Sequence, residues 1–500
     1  MEVFNSIAYG FKIAFQIQNI YLCFLGVLFG TFTGVLPGFG PSAAMALLIP
    51  LTFGLPSVSS IILLAGIYYG SMYGGSTASI LVNIPGEAAS AITCLEGYPM
   101  AKAGRAGPAL GISAFGSLIG ATIAIIGLMF VAPPISEFAL KFGPHEFFSI
   151  MVLGLTIVTY VSTGPVIKAL MMAALGLILG SVGMGVISGE PRLNFGTRYL
   201  LDGIPLVPLV MGLFGISEVL LNLEKTLKVE IYEKSVKDIL PSLQDWGASI
   251  WAILRGTVIG FFCGLLPGAG PVIASFISYA VEKKISKHPE KFGTGVIEGV
   301  ASPETANNAA VQAAFIPLFT LGIPVTPAIA VLFGAFLVHG IVPGPLLISQ
   351  KPDLFWGVVA SMYLGNIMLL VLNLPLINLW VRIVRIPYVF LFPLILLFCL
   401  IGAFSMDFSV ADIYFMLIFG VMGYIMKKFQ YEGAPLILGF ILGPAMEKAV
   451  RQALIISHGD FGSFWVRPIC AVTLSVAAFL LLTNILPYFK SRRPAIGIEE

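Results

Sequence analysis

Long apolar runs alternate with short polar or Pro/Gly breaks along the whole chain. In the first half the runs fall near residues 19–36, 41–55, 57–85, 107–133, 146–162, 165–187 and 205–222. In the second they fall near 247–266, 271–281, 297–324, 325–348, 354–381, 386–404, 409–426, 435–446 and 463–486. A bilayer is crossed by a helix of about 20 apolar residues, so the pattern predicts an all-α polytopic membrane protein with about twelve transmembrane helices plus broken or re-entrant segments. The longest polar stretch, 224–246, carries Lys225, Lys228, Lys234 and Lys237. It reads as a linker between a first transmembrane repeat, 1–223, and a second, 247–486, with a C-terminal tail at 487–500.

Composition narrows the class. With 58% hydrophobic and 10% charged residues and a mean hydropathy of +0.97, the 500-residue chain cannot bury its apolar surface as a soluble fold. A net charge of +2, without a basic stripe, excludes nucleic acid as a partner. Membrane lipid is the solvent. The five cysteines form no CxxC pair and the four histidines no HExxH or clustered spacing, so neither a disulfide framework, a metal site nor a cofactor is expected. The first apolar run extends far beyond a signal-peptide h-region, so the first helix is expected to stay in the mature protein.

The chain contains an internal duplication. Residues 34–41 read GVLPGFGP and residues 264–271 read GLLPGAGP, identical at six of eight positions and displaced by 268 − 38 = 230. The same displacement pairs Gly26, Gly30, Phe32 and Gly34 with Gly256, Gly260, Phe262 and Gly264, which gives each half a smooth helix face for close packing. After Pro37, Gly38 and Gly40 permit positive φ and Pro41 restarts a helix where its missing N–H costs nothing. A helix break in hydrocarbon persists only where protein, water or a ligand satisfies the freed backbone groups, and paired interrupted segments point to a transporter site. Gly38, Gly40, Pro41 and Ser42, with Gly268, Gly270 and Pro271, are therefore candidate ligands of an anionic substrate at restarted helix N-termini.

Each half carries a second polar break, GGSTASILVNIPGEAAS at 74–90 and SPETANNAAVQAAFIPLFTLGIPVTPA at 302–328, with Ile-Pro steps at Pro85 and Pro324. Ser76, Thr77, Asn307 and Asn308 are expected to contact substrate or a coupling cation, and Asn83, Thr305 and Thr326 to offer oxygen to a cation. The structural alternative is that these are interhelical hydrogen bonds and caps. Glu87, Lys168, Glu218, Arg255, Glu298, Glu304, His339 and Glu447 lie in or beside apolar runs, where a charge is costly and functional by default, or else part of a structural ion pair.

Lys and Arg collect at Lys102/Arg105, Lys225–Lys237, Lys283–Lys291, Arg382/Arg385, Lys427/Lys428 and Lys490–Arg493, which the positive-inside rule assigns to the cytoplasm. If 15–56 is a hairpin and 57–85 spans once, five crossings precede the second repeat and the two repeats are inverted. Placing 297–324 as one span opposes this, because it puts Arg382 and Arg385 outside unless 247–281 makes an odd number of crossings.

GVLPGFGPSAAMALLIPLTFG (34–54), YYGSMYGGSTASILVNIPGE (68–87), EGYPMAKAGRAGPALG (96–111), and GLLPGAGP with SPETANNA (302–309) together resemble the large membrane subunit of the tripartite tricarboxylate transporters of bacteria. The resemblance implies a multi-pass inner-membrane protein importing citrate or a related di- or tricarboxylate, coupled to a Na+ or H+ gradient. It implies as partners a small transmembrane subunit and a periplasmic solute-binding protein, and leaves a homo-oligomer open. The alternatives are a single-component carrier or channel for another small anion, or a membrane enzyme on a lipid-linked substrate. The breaks show no catalytic constellation, so the chain is read as no enzyme, and the absence of a GxxxxGK[ST] loop opposes an ATP-driven pump.

Overall fold

A computed structural model describes residues 2–36, 39–161, 165–185, 187–224, 239–268, 270–384 and 388–485. The first half comprises α1 (Glu2–Ala14), α2 (Ile17–Val35), α3 (Pro41–Leu48), α4 (Ser57–Val82), α5 (Cys94–Lys102), α6 (Ala106–Ala139), α7 (Pro144–Val161), α8 (Val166–Gly180), α9 (Leu206–Val210) and α10 (Ser217–Glu224). The second half continues with α11 (Leu243–Leu265), α12 (Gly270–Ile285), α13 (Glu298–Ala313), α14 (Phe315–Leu321), α15 (Pro327–Val338), α16 (Leu347–Gln350), α17 (Pro352–Asn373), α18 (Ile377–Val384), α19 (Tyr388–Asp407), α20 (Val410–Lys428), α21 (Gly433–Ile456), α22 (Ser463–Val466) and α23 (Pro468–Ile485). Seven described helices are long and apolar enough to cross a membrane, and five shorter apolar helices accompany them. Most of the linker, residues 225–238, and the tail from 486 lie outside the described residues.

The glycine ladders set the architecture. A Cβ on Gly26, Gly30 or Gly34 of α2 would meet the carbonyl oxygens of Leu63, Ile67 and Ser71 of α4 at 2.3, 2.5 and 2.0 Å. On Gly256, Gly260 or Gly264 of α11 it would meet those of Ser302, Ala306 and Ala310 of α13 at 2.5, 2.2 and 2.3 Å. Only glycine allows such an approach. In both pairs the numbers rise together, so α2 runs parallel to α4 and α11 parallel to α13. The intervening α3 and α12 must therefore return the chain to its starting level, and Ser59 Oγ at the start of α4 does donate to Asn19 Oδ1 near the start of α2 (2.5 Å). Each repeat is thus a helical hairpin, with Gly40-Pro41 at the tip of the first and Pro267-Gly268 and Gly270-Pro271 at the tip of the second, followed by a parallel helix.

That parallel helix breaks identically in both halves. α4 ends on Asn83 (φ 57°) before Ile84-Pro85, and α14 ends on Gly322 (φ 68°) before Ile323-Pro324, a displacement of 322 − 83 = 239. Both caps are left-handed, the conformation that Gly and Asn tolerate best. Between hairpin tip and second break the repeats thus drift by nine residues.

α4 and the α13–α14 pair run in opposite directions. Ser76 contacts Glu304, whereas Tyr68, earlier in α4, packs on Phe315, later in the chain, with ring centroids 6.2 Å apart. Each repeat's hairpin base meets the far helix of the other. Thr52 Oγ1 lies 3.1 Å from His339 Nε2 at the end of α15. At the opposite end, Glu96 of α5 accepts from the amides of Gly293, Gly295 and Val296 (2.5, 2.8 and 2.8 Å) in the loop after α12. The repeats are inverted. Residues 297–324 and 325–348, read from sequence as separate runs, supply one crossing together through α13–α15. That removes the conflict in the charge count, because Trp380, just before Arg382, belongs to the same apolar cluster as Met100 and Val300 at the Lys102 end.

The expectation that Gly40 takes positive φ is not met: it is at −70°, in extended conformation as the N-cap of α3. In the second loop, Gly268 (φ 80°) and Gly270 (φ 45°) do take it. Gly38 lies outside the described residues.

Candidate functional site

Both hairpin tips and both helix breaks line one cavity of about 550 Å³. The first repeat contributes Gly40, Pro41, Ser42, Pro85, Gly86 and Glu87, and the second Gly268, Gly270, Pro271, Val325, Thr326 and Pro327. Tip and break are joined within each repeat. Gly268 N–H donates to Val325 O (2.9 Å), and a Cβ on Gly86 would meet Gly34 O at 1.8 Å. Three helices begin at the cavity. α3 has no side-chain cap and its first backbone hydrogen bond is Ala44 N–H to Gly40 O (3.2 Å), which leaves the Ser42 and Ala43 amides without a helical carbonyl. α12 starts at Gly270, and α15 at Pro327 behind the Thr326 cap, whose Oγ1 accepts from Ile329 N–H (3.2 Å) and lies 3.2 Å from Tyr68 Oη. Equivalent to Thr326 at the 239-residue displacement is Glu87, whose carboxylate likewise caps the turn at Ala88–Ser90 by accepting from Ala89 N–H (2.9 Å).

Carboxylates also reach the wall: Glu87, Glu218 and Glu432. Glu218 is paired with Lys427 of α20. Glu218 follows a π-helical turn at Met211–Ile216, which aims Phe214 at the cavity. A second cavity of about 610 Å³ shares Phe214, Pro327, Glu432 and Ala434 with the first and adds Lys427, Gln430 and Tyr431. It forms a vestibule, with Lys168 Nζ 5.0 Å from the ring centre of Tyr431 at its rim.

Ser76, Thr77, Asn307 and Asn308 lie elsewhere, in helical parts of α4 and α13 and not in unwound chain. Ser76 and Thr93 donate to the two oxygens of Glu304, and Asn307 Nδ2 lies 3.2 Å from Oε2. Asn308 Nδ2 reaches Asn307 Oδ1 (2.6 Å), Ser117 Oγ (2.9 Å) and Glu304 O (3.0 Å). Thr77 borders a small cavity beside Ser76. Of the proposed cation ligands, Thr326 lines the large cavity, Asn83 is the cap of α4, and Thr305 Oγ1 donates to its own helix at Ala301 O (2.7 Å). The structure thus separates two polar centres that the sequence reading merged. Tyr68, Glu87, Thr93, Glu218 and Glu432 were absent from the candidate ligands. The signal for the acids was their position in apolar surroundings, whereas nothing local marks Tyr68 or Thr93. Two other charges of the apolar runs are ion-paired: Arg255 is bidentate on Glu282 (2.7 and 2.8 Å), and Glu447 accepts from Arg192 (2.8 Å) and Arg451 (2.9 Å).

The profile described as the Tripartite tricarboxylate transporter TctA family matches residues 20–438. The chain belongs to this family. It is thereby the large subunit of a tripartite transporter, a multi-pass membrane protein whose system includes a small membrane subunit and a periplasmic binding protein. All residues lining the large cavity, from Gly40 to Leu438, fall inside the span that matches the TctA family. An "Uncharacterized 52.8 kDa protein in TAR-I ttuC' 3'region" of Agrobacterium vitis is 46% identical over 500 residues, covering both chains fully. An "Uncharacterized protein in TAR-II ttuC' 3'region" of the same organism is 49% identical over 241 residues, 48% of this chain and all of that protein. No solved structure matches the chain.

Proposed function

We propose that this subunit imports a di- or tricarboxylate of the citrate type across the bacterial inner membrane, driven by a Na+ or H+ gradient, by alternating access around the cavity between the four helix breaks. The observation that carries the reading is the convergence of three helix starts, from both repeats, on one cavity of about 550 Å³. Helix N-termini supply amides and positive dipole ends to an anion without needing a buried cationic side chain. Several such ends suit a ligand with several carboxylates. Gly40, Ser42, Gly268 and Gly270 at the hairpin tips, with Thr326 at the second-repeat break, are the proposed contacts.

Glu87 on the wall argues for a coupled cation, whereas the charge of Glu218 is already balanced by Lys427. Carboxylates on the wall of an anion site repel the ligand unless positive charge accompanies it. The vestibule opens beside Lys427 and Lys428, at the end that the positive-inside rule assigns to the cytoplasm, so this conformation corresponds to the inward-facing state. Inverted repeats supply the outward-facing counterpart by exchanging their conformations.

The test is transport by the protein reconstituted with its small subunit and binding protein, offered mono-, di- and tricarboxylates under imposed sodium or pH gradients. Saturable uptake of a di- or tricarboxylate that collapses with the gradient is expected. Uptake indifferent to every gradient, or confined to monocarboxylates, contradicts the proposal.

A further inference from the structure

We infer that Glu304 of α13 is the proton-binding site that couples transport to a pH gradient, an assignment that rests on the carrier function above. Glu304 is fully buried, and among the described residues it forms no ion pair. An isolated carboxylate in such a place is paid for heavily unless it takes a proton. Its counterpart in the first repeat, 239 residues earlier, is Ala65, so the acid is no part of the packing that the repeats share.

Hydrogen counting points to a proton. The single hydrogen of the Ser76 hydroxyl has two acceptors in reach, Met72 O at 3.0 Å and Glu304 Oε2. With a proton on Oε2 the count closes: Glu304 donates to Ser76 Oγ and Ser76 donates to Met72 O. Without it, Ser76 and Thr93 both turn their hydrogens to the carboxylate and only the Met72 bond is lost. The same pocket therefore holds either state, one O–H bond forming at Oε2 as one proton leaves water and breaking as the proton returns. A sodium ion needs a shell of oxygens. Here the Asn307 oxygen is engaged by Asn308, and the two hydroxyls lie directly on the carboxylate.

A small polar cavity adjoins the acid. Ser76 also borders a cavity of about 10 Å³ with Tyr73, Thr77, Ser113 and Asn373, where Tyr73 Oη and Asn373 Oδ1 are buried without hydrogen-bond partners among the described residues. That volume approaches what one water needs. The titratable groups facing Glu304 are Tyr73 of α4, Glu87 of the loop behind it and Cys94 of α5. From the other packed elements, Arg255 of α11 is committed to Glu282 of α12, Asp245 of α11 to Arg105, and Tyr279 of α12 to Glu96 of α5. α6 presents Ser117, and α14 has no titratable side chain. Glu87 lines the substrate cavity, so its charge links the occupancy of that cavity to the proton on Glu304.

The test combines infrared difference spectroscopy of the purified chain with uptake by the reconstituted three-part transporter. Wild type is expected to show a protonated-carboxyl band that Glu304→Gln removes and Ser76→Ala shifts. One proton per substrate supports about tenfold accumulation per pH unit. Glu304→Gln is expected to lose that accumulation, while exchange of carboxylate across the membrane without a gradient is slowed but present. Where Glu304→Gln does not assemble, Ser76→Ala is expected to displace the pH dependence of uptake together with the band. The assignment is overturned if no band depends on Glu304, if Glu304→Gln accumulates substrate like wild type, or if wild type responds to sodium alone. Should wild type take up no carboxylate, the proposed function fails, and the band still decides whether Glu304 holds a proton.

Discussion

Single glycines do two different jobs in this protein, and substitution separates them. At Gly34 and Gly264 an added methyl would sit 2.0 Å from Ser71 O and 2.3 Å from Ala310 O, both backbone atoms held in helices. Gly34→Ala and Gly264→Ala should each cost about 1–3 kcal/mol through overpacking, read as a lower melting temperature of the detergent-purified protein, whereas Gly54→Ala, with nothing within 4 Å, should not. Gly270→Ala combines strain at φ 45° with a contact 3.0 Å from Thr326 Cγ2, so it should impair both folding and uptake. The spacing of the ladders and loops was legible because glycine at i, i+4 and i+8 before a Pro-Gly break has few other uses in a membrane helix. Which side chains point at the cavity was not, since Ser76 continues the α4 face of the lining residues Tyr68 and Met72, and nothing in the pattern shows that Asn307 and Asn308 stay on a wound helix away from the breaks.

At the scale of elements, the breaks are held by caps. Thr326 and Glu87 occupy equivalent positions and each accepts an amide of the turn that follows. Thr326→Ala should destabilise the start of α15 by about 1 kcal/mol and weaken uptake, with Thr326→Ser largely restoring both, as measured by thermal unfolding and initial rates. Equal behaviour of Ala and Ser would show that the cap is irrelevant. The sequence shows both Ile-Pro steps as corresponding breaks, but not the change in displacement from 230 at the tips to 239 at the breaks. The hairpins were legible for a plainer reason: an unpaired break in lipid demands protein on all sides, and a second copy of the same break is the nearest available partner.

For the molecule as a whole, inversion follows from α4 and α13 running in opposite directions. Equivalent loops of the two repeats are those at 49–56 and 286–297, whereas Lys102 and Lys287 belong to the same end through Glu96 and its amide partners. Single cysteines at Gly54 and Lys287 should react with a membrane-impermeant maleimide from opposite sides, and one at Lys102 from the side of Lys287. All Lys102/Arg105 and Lys283–Lys291 charges then lie on one side and the uncharged 49–56 loop on the other, as the positive-inside rule requires. Charge along the sequence conflicts with inversion only where the two halves of the broken helix at 297–348 are taken as two spans.

The central claim is that the cavity between the hairpin tips holds the carboxylate, and Gly40 tests it most directly. Its φ of −70° suits any residue, and among the described residues nothing lies within 4 Å of where a Cβ would stand, so a larger side chain enters the cavity with little cost beyond the N-cap preference. The measurement is carboxylate uptake by Gly40→Leu in the reconstituted transporter, beside its melting temperature. The account predicts a melting temperature within a few degrees of wild type with uptake abolished; wild-type uptake by a normally folded Gly40→Leu would contradict it.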